Sequence, residues 1–133
     1  MPDFDLSQYL LEKPAIALVG ASANPAKYGS VILQDLLEKN FTVYPVNPKE
    51  KNIGEINVWN NLSSLVKEKS IGLVVFVVPP PVTLKMLGEA LSLGLKKVWV
   101  QPGAGDQAVR EFLEKNNFDY LMDACVMVKS RVR

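Results

Sequence analysis

Apolar residues along this chain gather in short continuous runs, and stretches with helical spacing separate those runs. Four of the runs are continuous rather than alternating, a pattern typical of strands that are buried on both faces. A minor edge strand is also expected near Asn57–Trp59. The main predicted strands are Ala15–Val19, Thr42–Val46, Gly72–Val78, Lys97–Gln101 and Asp119–Met122.

The segments between the strands place apolar side chains at three- and four-residue intervals, which predicts helices. Asp106 is an N-cap residue type before one of them, and Asn60 or Asn61 before another. Shorter helices are expected from Ser7 and after Asp123, with Asp123 interpreted as a helix cap. The longer predicted helices are Tyr28–Lys39, Asn61–Lys69, Val82–Leu93 and Asp106–Lys115.

The alternation of strands and helices predicts an α/β fold with a parallel sheet and right-handed crossovers. We expect a single Rossmann-like, doubly wound sheet of about five strands with helices on both faces. The expected strand order is 3-2-1-4-5. In this numbering the minor edge strand near Asn57–Trp59 is the third strand, and the run that ends before Pro79 is the fourth. At 133 residues the chain is predicted to be one domain over 1–133, with 1–14 as an N-terminal helical extension.

The turn after the first strand is a candidate ligand site, because ligands of such folds bind beyond the carboxyl ends of the strands. Gly20 permits a tight turn, and Gly29 lets the following helix start close to a ligand. Ser22 and Lys27 supply a hydroxyl and a charge for a phosphate. The turn is neither G-x-G-x-x-G nor a P-loop. The alternative is that Ser22 and Asn24 cap the turn while Lys27 is solvated.

The tip of the second strand reads Asn47-Pro48-Lys49, with Lys51 close by. Rossmann proteins that bind NAD usually place Asp or Glu there to bind the ribose hydroxyls, so a basic tip fits NAD poorly. It fits a ribose that carries an extra phosphate, as in coenzyme A (CoA) or NADP. The alternative is that Lys49 lies on a solvated loop without a ligand.

Two further tips and one cysteine complete the candidate site. The triple proline at 79–81 predicts a rigid apolar wall beside the ligand, or simply the end of a strand and the first turn of a helix. Gln101 and Gly103 would lie near the far end of the ligand. Cys125, the single cysteine, is interpreted as inert packing, with a position facing a ligand thiol as the alternative.

Composition removes several function classes. Lys and Arg number 15 against 14 Asp and Glu, a balance that argues against a nucleic-acid partner. No segment approaches the ~18 apolar residues of a membrane span, and a single cysteine fits a reducing compartment. We therefore expect a cytoplasmic protein with no membrane partner. The chain has no histidine, the commonest general base and metal ligand, so no catalytic or metal-binding residues are predicted.

In combination these motifs resemble the stand-alone CoA-binding domain family, which is related to the nucleotide-binding domain of the succinyl-CoA synthetase α subunit. The motifs follow one another in order across roughly residues 10–130. They are Val19-Gly20-Ala21-Ser22 with Pro25, Lys27 and Gly29; Val46-Asn47-Pro48-Lys49; Val77-Val78-Pro79-Pro80; Val98-Trp99-Val100-Gln101 with Gly103; and Asp123 with Cys125.

The resemblance implies that CoA or an acyl-CoA binds at the strand tips. The turn 20–29 would contact the phosphates, the second tip would hold the adenosine end, and Gln101 and Gly103 would approach the pantetheine arm. The synthetases phosphorylate a histidine in a further domain, and this chain has no histidine, so ligase chemistry is not implied. The implied binding residues are Gly20, Ala21, Ser22, Pro25, Lys27, Tyr28, Gly29, Asn47, Pro48, Lys49, Val78, Pro79, Pro80, Gln101 and Gly103.

Two functional hypotheses follow. The first is a protein that binds a CoA thioester without catalysis of its own, as a carrier, sensor or regulatory module. For this hypothesis a homodimer and a protein partner are both left open. The second is a small enzyme, either an NADP-type oxidoreductase or a CoA-thiol redox enzyme that uses Cys125.

Overall fold

The computed structural model describes residues 5–131. The predicted domain 1–133 and its N-terminal helical extension 1–14 include residues 1–4 and 132–133, which lie outside the described residues. In chain order the elements are α1 (Leu6–Leu10), β1 (Ile16–Val19), α2 (Tyr28–Glu38), β2 (Val43–Val46), β3 (Asn52–Ile53), β4 (Ile56–Asn57), α3 (Leu62–Val66), β5 (Leu73–Phe76), α4 (Pro80–Ser92), β6 (Lys97–Val100), α5 (Gln107–Lys115), β7 (Asp119–Met122) and α6 (Val126–Lys129).

Five strands form one sheet in the order β2-β1-β5-β6-β7, and every pairing in it is parallel. The register places Ile16 of β1 opposite Val43 of β2 on one side and Leu73 of β5 on the other. This confirms the predicted α/β, Rossmann-like fold. The edge segment beside β2 makes a single parallel bridge, Val46 to Trp59, rather than a full strand.

Helices cover both faces of the sheet, because successive residues of each strand point to opposite sides. Ile16 and Leu18 of β1 pack in one core cluster with apolar residues of α1, α2 and α6. Ala17 and Val19 pack in the other cluster with residues of α3, α4 and α5. All four residues of β1 are buried, which explains why the strand reads as a continuous apolar run.

Local differences from the sequence expectations fall at element ends. The edge strand expected near Asn57–Trp59 does not form: Asn57 ends a short antiparallel hairpin, β3–β4, that turns at Gly54 with a φ of 60°, and Trp59 makes the single bridge to β2. In the predicted order 3-2-1-4-5 the third strand is therefore reduced to that bridge. Asp123 does not cap α6: it has a φ of 65° and its carboxylate pairs with Arg110 at 2.9 Å. The N-cap position of α6 is held by Cys125.

Within residues 5–131, no helix has the length and apolar character needed to cross a membrane.

Candidate functional site

The carboxyl ends of the parallel strands open onto one groove, which is built from three adjoining depressions. The first, the α4 cleft, has a volume of about 580 Å³ and lies between the tip of β2 and α4. The second, the turn cleft, has about 310 Å³ and borders the turn after β1. The third, the Gln101 cleft, has about 320 Å³ and reaches the tip of β6. Asn47 and Val78 line both of the first two, and Tyr28 and Pro79 line both of the last two.

The turn between β1 and α2 is so tight that two of its positions leave no room for a side chain. Gly20 has a φ of 105°, and a Cβ there would lie 2.7 Å from the carbonyl oxygen of Val77. A Cβ on Gly29 would collide with the carbonyl oxygen of Gly20. The start of α2, where the first N–H groups have no intrahelical partner, therefore packs directly on the end of β1 at the turn cleft.

Side chains satisfy several backbone amides of this turn. Ser22 Oγ accepts a hydrogen bond from Asn24 N at 3.0 Å, and Asn24 Oδ1 accepts one from Ala26 N at 3.0 Å. The two carboxylate oxygens of Glu50 accept from Ala23 N at 3.1 and 3.0 Å. Ser22 and Asn24 thus do cap the turn, and the Ser22 hydroxyl still has its own hydrogen to donate to a ligand.

Asn47 ties the tips of β1 and β2 together. Its Nδ2 donates to the Ala21 carbonyl at 2.9 Å, and its Oδ1 accepts from Lys49 N at 2.8 Å. Both halves of the side-chain amide are engaged within the protein. They hold the loop that carries Lys49 at the edge of the α4 cleft, which Pro48 and Lys49 line.

The triple proline forms the corner between β5 and α4. Pro79 is the N-cap of α4, and Pro80 and Pro81 occupy its first turn, where a missing N–H removes no helical hydrogen bond. The helix therefore begins two residues before the start that the sequence predicts. Thr83 Oγ1 donates to the Val78 carbonyl at 3.3 Å and fixes this corner. The corner gives the groove an apolar wall.

A polar cluster lies at the far end of the groove. Gln101, only 1% exposed, accepts a hydrogen bond from Val126 N at 2.7 Å and donates one to Cys125 Sγ at 3.5 Å. The Tyr28 hydroxyl lies 3.3 Å from the same sulfur. Because Tyr28 and Gln101 both line the Gln101 cleft, the cysteine lies beside the groove. Cys125 is thus half-buried and lies within hydrogen-bonding distance of two polar side chains, and its reactivity stays a prediction.

These contacts shift two pKa values in opposite directions. Burial raises the pKa of the Cys125 thiol, but hydrogen bonds from Tyr28, Gln101 and backbone N–H groups of α6 outweigh it, so the pKa is lowered. The hydrogen bond to Cys125, reinforced by burial and by the charges of Cys125 and Asp35, raises the pKa of Tyr28 to about 12. The tyrosine therefore keeps its proton, and its hydroxyl donates a hydrogen bond to the Cys125 sulfur when the thiol is ionised.

Replacing Tyr28 with phenylalanine is expected to make Cys125 less reactive. The thiolate is the nucleophile, and the variant loses a donor that stabilises it, so the pKa of Cys125 rises. Alkylation by iodoacetamide at neutral pH should slow by about 3- to 10-fold, with its midpoint moved to higher pH. Tyr120→Phe is the matched control, since its hydroxyl contacts Glu114 and Arg110 instead. An unchanged midpoint in Tyr28→Phe would contradict the proposed stabilisation.

Three lysines line the groove without an acidic partner in the described part of the chain. Lys27 lines the turn cleft, and Lys49 and Lys85 line the α4 cleft; the ion pairs found within residues 5–131 involve other residues. The carboxylate that lines the α4 cleft belongs to Glu89, which accepts hydrogen bonds from the backbone N–H groups of Leu62 and Ser63. The groove therefore carries excess positive charge, which suits an anionic ligand.

The structure brings nearly all predicted site residues to this groove. Two lie elsewhere: Ala21 is fully buried under the turn, and Pro25 lines a separate depression along α2 with Val31 and Asp35. Those that line the groove are Gly20, Ser22, Lys27, Tyr28, Gly29, Asn47, Pro48, Lys49, Val78, Pro79, Pro80, Gln101 and Gly103. Among residues 5–131 no group of three or more potential metal ligands occurs.

Sequence reasoning missed the α4 wall of the groove. Val82, Lys85, Met86 and Glu89 line the α4 cleft, and they recur at the three- and four-residue intervals of one helix face. That spacing was visible in the sequence. The sequence alone did not reveal that this face borders the tip of β2.

The profile of the CoA binding domain family matches residues 14–131 of this chain. This chain belongs to the CoA-binding domain family. The match spans β1 to α6 and thus contains the whole groove. The resemblance drawn from the motifs at the strand tips is confirmed.

Relatives of this CoA-binding domain include larger enzymes and a small protein of similar size. It is 34% identical over 94 residues to an ADP-forming acetate–CoA ligase of Methanocaldococcus jannaschii, covering 71% of this chain and 13% of the ligase. It is 32% identical over 95 residues to the α subunit of ADP-forming acetate–CoA ligase I of Pyrococcus furiosus, covering 67% of this chain and 20% of that subunit. The chain thus spans a small fraction of the ligases it matches.

Among solved structures, a conserved hypothetical protein from Pyrococcus furiosus superposes with a TM-score of 0.82 at 48% identity. The alignment covers 86% of this chain and 97% of that one. The CoA-binding domain fold therefore also occurs in a chain that is almost entirely covered by this one.

Proposed function

We propose that this chain binds CoA or an acyl-CoA in the groove, without catalysis of its own, as a carrier, sensor or regulatory module. The observation that carries the proposal is one continuous groove along the strand tips, lined by Lys27, Lys49 and Lys85 without acidic partners, in a CoA-binding domain. CoA is a long anion with a flat aromatic base at one end and a thiol at the other. A groove of this shape and charge matches such a ligand.

The three depressions suit three parts of CoA. The α4 cleft, walled by apolar side chains such as Val46, Val82 and Met86, would take the adenine. The turn cleft, with the start of α2 and Lys27, would take the diphosphate. The Gln101 cleft would take the pantetheine arm, whose thiol end would approach the Tyr28 side of the groove.

Purified protein, stripped of ligand, is expected to bind CoA and acetyl-CoA in titration calorimetry and to respond to neither NAD nor NADP. A double variant, Lys27→Ala with Lys49→Ala, should weaken CoA binding by about 10- to 100-fold, because each substitution removes one charge-assisted contact to a phosphate. The affinity of the unmodified chain should fall as salt is raised, and that of the double variant should fall less.

The matched control is Lys51→Ala with Lys67→Ala, which removes the same charge from exposed positions outside the groove. If both double variants weakened CoA binding equally, the loss of affinity would come from net charge alone. That result would contradict the assigned phosphate contacts. Binding of NADP without CoA would overturn the proposal and favour a redox role.

The Tyr28–Cys125 contact favours a second candidate function, a thiol–disulfide exchange at Cys125. In this reaction the Cys125 thiolate would attack the disulfide of oxidised CoA, forming a protein–CoA mixed disulfide and releasing one CoA thiolate. Mass spectrometry after incubation with CoA disulfide tests it, with Cys125→Ser as the control. An unmodified Cys125 that also alkylates at the rate of a buried thiol would exclude this candidate.

A further inference from the structure

The α4 cleft contains a feature that the binding of a plain adenine nucleotide does not require. Its two walls belong to different elements, the loop after β2 and the helix α4, and each wall carries one lysine, Lys49 and Lys85. Both side chains are exposed. Neither has a carboxylate partner within the described residues. Two uncompensated cations therefore flank one apolar cleft, an arrangement that favours an anionic group at its mouth.

The acidic side chain that lines the cleft, Glu89, and the one that follows Lys49, Glu50, both already accept hydrogen bonds. The carboxylate of Glu89 accepts three hydrogen bonds at the start of α3: from Leu62 N at 3.3 Å, from Ser63 N at 3.2 Å and from Ser63 Oγ at 2.8 Å. Glu50 follows Lys49 in the chain, and its carboxylate is held by Ala23 N at the turn. Both carboxylates are thus engaged by protein N–H and hydroxyl groups, whereas the Asp or Glu of NAD-binding domains accepts from the ribose hydroxyls.

The apolar part of the cleft and its charged edge suit different parts of one nucleotide. A purine is flat, and its aromatic face would pack against Val82 and Met86 of α4 while its polar edge stays free to form hydrogen bonds. The ribose of a base held there would lie between that apolar wall and the turn that takes the diphosphate. A phosphate on the ribose itself would then lie in the cleft that Lys49 and Lys85 both line.

We propose that Lys85, acting with Lys49, recognises the 3′-phosphate on the ribose of CoA and makes this chain select CoA over dephospho-CoA. This inference rests on the proposed function and extends it to a specificity determinant on α4. A lysine ammonium contacts a phosphate as a compact charge, so the preference depends on charge rather than on a particular side-chain shape.

Calorimetry with CoA and dephospho-CoA tests this inference, because the two ligands differ only in the 3′-phosphate. The unmodified chain is expected to bind CoA at least about tenfold more tightly than dephospho-CoA. Lys85→Ala should lower the affinity for CoA by about tenfold while leaving the affinity for dephospho-CoA nearly unchanged. Lys85→Arg should keep the preference. Lys51→Ala, which removes a cation that lies outside the α4 cleft, is the matched control.

The outcomes of this experiment separate the role of Lys85 from CoA binding itself. Loss of preference in Lys85→Ala, with preference kept in Lys85→Arg and Lys51→Ala, supports the inference. Equal affinity of the unmodified chain for CoA and dephospho-CoA overturns it and leaves CoA binding intact. A parallel loss of both ligands in Lys85→Ala also overturns it, because the lysine would then act on a part that both ligands share. Failure of the unmodified chain to bind either ligand overturns the proposed function as well.

Discussion

Gly29→Ala is expected to lower the free energy of unfolding of this chain by about 3 kcal/mol, because the new methyl group has no space. A Cβ at this position collides with the Gly20 carbonyl oxygen and lies 3.3 Å from Ala21 Cα. These are backbone atoms, so no side-chain rotation relieves the clash. The turn cannot easily move away from the new methyl group, because two hydrogen bonds tie it to the end of β2: Gly20 N donates to Val46 O, and Asn47 Nδ2 donates to Ala21 O.

Relief of this clash requires the start of α2 to move away from the tip of β1. The movement would open the turn cleft, which Gly20 and Gly29 both line, and CoA binding should weaken together with stability. Chemical denaturation followed by circular dichroism measures the first effect, and calorimetry with CoA on the still-folded variant measures the second.

Gly88→Ala is the control for this experiment, because it places the same methyl group in another helix. Gly88 lies inside α4, and a Cβ there would meet no atom of any other element within 4 Å. Alanine is a better helix former than glycine, so this variant should be stabilised by about 0.5–1 kcal/mol. The two substitutions should therefore shift stability in opposite directions. A loss of similar size in both would show that the contact between Gly29 and Gly20 is not the cause.

The fold was predictable because local signals and the overall pattern agree. Strands such as β1 and β5 are buried on both faces, so they appear as uninterrupted apolar runs. The N-caps Asn61 and Asp106 hold the starts of their helices through hydrogen bonds to Ser64 N and Val109 N. Those residue types are informative because their side chains accept from the free amides of a first turn.

The elements that sequence reasoning missed are those whose local signals are weak or conflicting. The hairpin β3–β4 has strands of only two residues, too short for any periodicity to emerge. The first turn of α4 was expected near the triple proline, but the helix was predicted to begin at Val82, two residues late, because only then does the apolar spacing become visible. Asp123 is a common cap residue, but here its backbone is left-handed and its carboxylate pairs with Arg110.

The site was predictable to the extent that it depends on strand tips. The topological rule names the residues after β1, β2, β5 and β6, and most of them line the groove. The contact between Tyr28 and Cys125 joins residues 97 positions apart, and no spacing in the sequence indicates it. Lys85 lies on a helix in mid-chain, and only the packing of α4 beside the tip of β2 brings it to the same cleft as Lys49.

The second large effect is expected at Trp99, whose indole is fully buried between the sheet and the helices α1, α2 and α6. Trp99→Ala should cost about 3–5 kcal/mol, because it removes a large core side chain and leaves a cavity. The substitution also removes the hydrogen bond from Trp99 Nε1 to the Ala124 carbonyl at 2.8 Å. That bond holds the segment that leads to Cys125, so its loss should also loosen the polar cluster at the end of the groove.

Trp99→Phe separates these two contributions and keeps the test informative if the alanine variant does not fold. Phenylalanine fills most of the cavity but has no donor for the Ala124 carbonyl, so about 1–3 kcal/mol should be lost. Alkylation of Cys125 in the folded variant should become faster, because the Cys125 segment opens more readily. Trp59→Phe is the control: Trp59 is half-buried, makes a T-shaped contact with Tyr44 and lies far along the chain from Cys125. If Trp99→Phe lost stability without any change in alkylation, the hydrogen bond to Ala124 would have no part in positioning the cysteine, and the Tyr28 and Gln101 contacts alone would hold it at the groove.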